Sequence, residues 1–143
     1  MIWVKRVLSW IISILLGAFV NTGVLQLGLK ILPPPEGSDF KTSAGLAKSM
    51  PILGPEDFIA PFLAHFIGTF ASAFLLTWLL KTMWQGPALI AGIIFLSGGI
   101  YMVYLLPAPL WFEVLDLTLG YVPAAYLGYL LGVRFQKRTH RID

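Results

Sequence analysis

His65 is the residue best placed to do chemistry in this chain. It lies about two turns into an apolar run that opens at Pro55-Glu56-Asp57, and it is the one ionisable side chain set well inside a hydrophobic segment, away from its ends. Histidine changes charge between pH 5 and 8, so it can hold, give or take a proton under working conditions. An ionisable group within a membrane span is costly and faces a bundle interior or a wet cavity. A carboxylate beside it favours the imidazolium, and burial alone opposes it. Asp116 is the expected partner by depth and Glu113 the next. They stand three residues apart, so they share a helix face. At a rise of ~1.5 Å per helical residue, His65 lies about 12 Å, Asn21 about 16 Å and Gln26 about 9 Å from the ends of their helices. Tyr101 and Tyr104 fall at comparable depth. These seven residues come from four segments and define a candidate ligand-binding slab.

Each member also has a plainer role. His65 can tie helices together through a hydrogen bond. Glu113 and Asp116 suit the first turns of a helix, where the dipole favours acids. Asn21 continues a stripe of Ser9, Ser13 and Gly17 at four-residue steps, which is a packing pattern. Glu36 and Asp39 read as a solvated loop. One histidine with Glu113 or Asp116 is thin metal ligation, and the usual ligand spacings are missing. No metal and no cofactor are expected. The chain has no cysteine, which excludes disulfides and thiol chemistry.

The elements that must position these groups follow from composition. The 143 residues are 57% hydrophobic and 12% charged, against roughly 25% charged in a soluble domain. The apolar residues fall in four runs, each near the ~20 residues that cross a bilayer. The expected fold is all-α: one integral membrane domain over 1–143, a bundle of four transmembrane helices at about 7–32, 57–80, 87–106 and 111–133. Residues 33–56 form the one long loop. Its Pro33-Pro34-Pro35 run ends the first helix, and Thr42 to Met50 suggests a short amphipathic helix that caps the bundle. Pro61 falls near a first turn, and Pro123 is expected to bend the fourth helix.

Lys5, Arg6, Lys81, Arg134, Lys137, Arg138 and Arg141 lie at one set of helix ends, and Lys30, Lys41 and Lys48 at the other. Among the acids only Asp143 joins the first set. The positive-inside rule then predicts both termini in the cytoplasm and the long loop outside. The basic tail reads as a topology signal that also touches anionic lipid; no nucleic-acid motif accompanies it. Small residues recur every four at Ala64/Gly68/Ser72 and at Gly120/Ala124/Gly128/Gly132, faces for close helix packing and for a homo-oligomer.

The segments Pro33–Asp39, Pro61-Phe-Leu-Ala-His-Phe-Ile-Gly-Thr69 and Leu106-Pro-Ala-Pro-Leu-Trp-Phe112 together resemble a family of small four-helix bacterial membrane proteins. The resemblance covers most of the chain. It implies a multi-pass protein of the bacterial inner membrane and carries no activity. The motifs of small multidrug exporters and of the eicosanoid and glutathione membrane enzymes are missing: helix one has no central glutamate and helix two is not arginine-rich. Three functions remain open on the residues: binding or transport of a small ligand or ion around His65; a membrane enzyme acting on a lipid or isoprenoid-like substrate, with His65 and Glu113 or Asp116 as acid and base; or an accessory subunit whose polar groups are glue.

Overall fold

A computed structural model of the chain describes residues 2–139; Arg141 and Asp143, used above in the charge count, lie outside the described residues. The described residues are helical or irregular. Helix α1 runs Ile2–Ile31, α2 Ser43–Ser49, α3 Ile59–Leu80, α4 Gly86–Leu105, α5 Leu110–Leu119 and α6 Val122–Thr139. Four helical stretches are long and apolar enough to cross a membrane: α1, the segment Pro55–Leu80, α4, and α5 with α6. At ~1.5 Å per residue α1 is about 45 Å long, more than the ~30 Å hydrocarbon layer.

Three boundaries differ from the sequence expectation. Helix α1 begins five residues earlier, because Trp3, Val4 and the flanking Lys5-Arg6 continue the helix as an interfacial end. The second span does not open directly as an α-helix. Pro55–Phe58 form a 3-10 turn, in which the Gly54 N–H donates to Asp57 Oδ2 at 2.8 Å. The fourth span is two helices rather than one and reaches Thr139. Its break has a cause in Pro123. Proline has no N–H for the carbonyl four residues back, here Leu119, and its ring crowds that carbonyl. The bend therefore falls a turn before the proline, at Gly120-Tyr121.

Helix α3 is the centre of the bundle and packs against α1, α6 and α4. Its neighbours come close because small residues face each other. A Cβ added to Gly68 would come within 2.8 Å of both the Asn21 Cβ and the Gly17 carbonyl oxygen, across the α1–α3 seam. On the α6 side, a Cβ on Gly128 would run into the backbone of Phe70 and Phe74. The deep interior accordingly holds mostly small side chains, Ala64, Ala73, Ala88 and Ala125, with Leu76 the largest that is fully buried. It also holds Ser13, Thr69 and Ser72, whose hydroxyls are buried without a hydrogen-bond partner among the described residues.

A second cluster closes the end of the bundle nearest the long loop. Met50, Phe58, Leu106 and Phe112 are buried together, and Leu46 and Ala47 of α2 pack onto them. Helix α2 holds its place through Thr42, whose hydroxyl accepts from the Gly45 N–H at 2.9 Å, a side-chain N-cap. Ser49 Oγ also accepts from the Asp39 N–H at 2.8 Å. The loop is thus a folded cap.

Candidate functional site

Beneath this cap lies a cavity of about 180 Å³. Its wall is mostly apolar: Leu25 and Leu29 from α1, Leu46 from α2, Met102 and Val103 from α4, Phe112 from α5. The polar groups in the lining are Gln26, Asp57, His65, Glu113 and Asp116.

His65 and Asp116 meet across the bundle. His65 Nδ1 is 2.9 Å from each carboxylate oxygen of Asp116. An ionised carboxylate only accepts, so Nδ1 carries the proton and donates. Tyr121 closes a triangle: its hydroxyl donates to Asp116 Oδ2 at 3.1 Å and lies 3.0 Å from His65 Nδ1. Its ring stacks on the imidazole at 5.4 Å between centroids. The carboxylate and the phenol are sealed, at 5% and 2% exposure, whereas the His65 side chain keeps 27%. Nε2 has no partner among the described residues and is the ring nitrogen left for an occupant. Two fixed groups behind Nδ1 thus orient the ring and set its tautomer, leaving Nε2 as the acceptor nitrogen.

Tyr121 was not among the residues singled out from the sequence. On an unbroken helix, residues five apart point about 140° away from each other, so Asp116 and Tyr121 would not share a target. The break at Gly120 turns Tyr121 back toward His65. The readable signal was Pro123, whose effect falls a turn upstream of itself. Gly99 of α4 provides the space: a Cβ there would collide with the Tyr121 hydroxyl and ring. Asp57, read as a helix start, also turns out to line the cavity.

The other expected site residues divide. Glu113 and Gln26 line the cavity with His65 and Asp116. Asn21 does not; it lies in the α1–α3 seam against Gly68. Tyr101 and Tyr104 point out of the bundle, at 62% and 84% exposure. Gly99 and Met102 take the inward face of α4, and the two tyrosines fall on the opposite one, as interfacial aromatics do. Asp39 faces the α2 turn, where Oδ1 accepts from the Lys41 N–H at 2.8 Å. Among the described residues no group of three His, Asp or Glu side chains is arranged to hold a metal ion.

Fold and site together define an all-helical bundle with four helices able to span a membrane and an apolar chamber built around a carboxylate-oriented histidine. No family model, no curated protein and no solved structure matches the chain.

Proposed function

We propose that the chain is a multi-pass membrane protein that binds, and in the fuller form of this reading moves, a small and mainly apolar ligand in the chamber under α2. His65 Nε2 is the polar contact, and Asp116 and Tyr121 hold the ring. The observation that carries this reading is the pairing of a partly open, mostly apolar cavity with one histidine whose Nδ1 is engaged by Asp116 and Tyr121 and whose Nε2 has no partner among the described residues. The excess of basic residues at the ends Lys5, Lys81 and Arg134 supports a cytoplasmic location for them. The chamber then faces the outer side of a cell membrane, the bacterial inner membrane by the motif resemblance. The small-residue faces expected to serve a homo-oligomer are spent inside the chain, on the α1–α3 and α3–α6 seams, while the exposed apolar surface supports a lipid annulus.

A second reading has an observation of its own. An imidazole held by a buried carboxylate is also a general base, and a lipid or isoprenoid-like substrate would suit the wall. Mass spectrometry of protein purified in native lipid nanodiscs tests both. A molecule retained by the wild type and lost from folded His65→Gln supports binding at this site. A retained molecule that is chemically converted on incubation moves the assignment to an enzyme. A wild type that retains nothing and shows no saturable uptake of apolar probes leaves the accessory-subunit reading, and the proposal fails.

A further inference from the structure

The chamber has a charge, and the charge selects a class of ligand. Three carboxylates line it, Asp57, Glu113 and Asp116, and among the described residues no lysine or arginine does. Two of the three are engaged. Asp57 accepts from the Gly54 N–H, and Asp116 is held by His65 and Tyr121. Glu113 is half-buried and lines the same cavity. No hydrogen bond or ion pair to it is formed among the described residues. It sits one turn before Asp116 on the same face of α5, so their Cβ atoms are roughly 5–6 Å apart.

A carboxylate without a partner in an apolar chamber is a cost unless something positive joins it. An anion would be repelled by it, and a neutral molecule would leave it uncompensated. An ammonium group satisfies both halves of the site: one N–H donates to Glu113 and another to His65 Nε2. Phe58 and Phe112 stand 4.6 Å apart in the same wall, and aromatic faces attract cations further. Size narrows the class. An engineered apolar cavity of ~150 Å³ takes up benzene, so about 180 Å³ suits one substituted ring or a short branched chain. A zwitterionic lipid headgroup also carries an ammonium, but its phosphate would come with it, and no cationic side chain lines the wall to receive it.

Resting on the binding reading above, we infer that the ligand is a small primary or secondary amine with a ring-sized apolar body, its ammonium held between Glu113 and His65. The test uses three near-isosteric probes, 2-phenylethylamine, 2-phenylethanol and phenylacetate, titrated at pH 7 into the full-length protein in phosphatidylcholine nanodiscs, with calorimetry as readout. The amine is expected to bind at least about tenfold more tightly than the alcohol, a factor of roughly 1.4 kcal/mol, and the acid more weakly than either. Glu113→Gln should bring amine and alcohol to within about threefold of each other, and Glu113→Asp, which keeps the charge, should restore much of the preference. Saturable binding with no preference for the amine, or a preference that survives Glu113→Gln, overturns the inference and leaves the binding reading standing. Absence of saturable binding by all three probes overturns both. Loss of amine binding when half the lipid is phosphatidylethanolamine would assign the site to a lipid headgroup and overturn the free-amine class.

Discussion

Asp116 and Tyr121 are five residues apart on a broken helix, and both reach the same nitrogen of His65. The break is what makes this geometry available, because a continuous helix would send one of the two side chains elsewhere. A proline that removes a single backbone hydrogen bond therefore has a chemical effect as well as a mechanical one. It gathers a carboxylate and a phenol behind one imidazole, and the outer helix pair becomes a clamp.

Removing the Tyr121 hydroxyl should loosen that clamp without emptying the space. Tyr121→Phe keeps the stacked ring and loses the contacts to Asp116 and His65, at an expected cost of ~0.5–1.5 kcal/mol. Thermal unfolding in mild detergent measures it. An unchanged midpoint would mean that the hydroxyl does not hold the carboxylate.

The adjacent glycines of α4 should behave in opposite ways. Nothing lies within 4 Å of a Cβ placed on Gly98, whereas one on Gly99 meets Tyr121. Gly98→Ala should be neutral or stabilising by up to ~1 kcal/mol, the helix-propensity gain. Gly99→Ala should cost ~1–3 kcal/mol through overpacking, and Tyr121→Phe in the same chain should recover part of that loss. Equal effects of the two single substitutions would remove Gly99 from the site.

The unpartnered hydroxyls in the interior should be dispensable for stability. Thr69→Val and Ser72→Ala replace a buried, unbonded oxygen by carbon or hydrogen, and such exchanges are nearly neutral or stabilising. Each variant is expected within ~0.5 kcal/mol of wild type or above it. A loss of more than ~1 kcal/mol in detergent would show that these oxygens are bonded in the membrane.

Orientation is tested by fusion. Reporters at Gly45 and after the C-terminus should read opposite sides of the membrane, the loop outside and the tail in the cytoplasm. If both report the cytoplasm, the four-span topology is wrong; a loop in the cytoplasm with the tail outside would mean that the charge bias has been misread and the chamber opens on the other face.

Much of the helical layout was legible because hydrophobic runs of fixed length leave little choice. The turn of α2 was also readable, from Ala44, Leu46, Ala47 and Met50 at helical spacing. The meeting of His65 with Asp116 followed from depth alone. Depth cannot say which way a side chain faces around its helix, and this is where Asn21, Tyr101 and Tyr104 part from the cavity. All three lie within reach of the right slab, yet one is spent on the α1–α3 seam and two look outward. Tyr121 was hidden for a related reason: its direction depends on a helix break that periodicity arguments take to be absent.

The four-residue stripes of α1 and α3 carry one more consequence. Ser9, Ser13 and Gly17 are buried at four-residue steps on α1, and Ala64, Gly68 and Ser72 at the same interval on α3, the two stripes meeting where Gly17 faces Gly68 and Ser72. Two combs with equal teeth fit again after a slide of one step, here about 6 Å along the axis. The stripes set how near the helices come but leave their register undecided. Register must come from the specific contacts along the seam: the Phe95 ring tip of α4 against Gly17 and the Asn21 side chain against Gly68. Those two positions act as the detent of the pair, and a mutation there would be felt as a displaced helix.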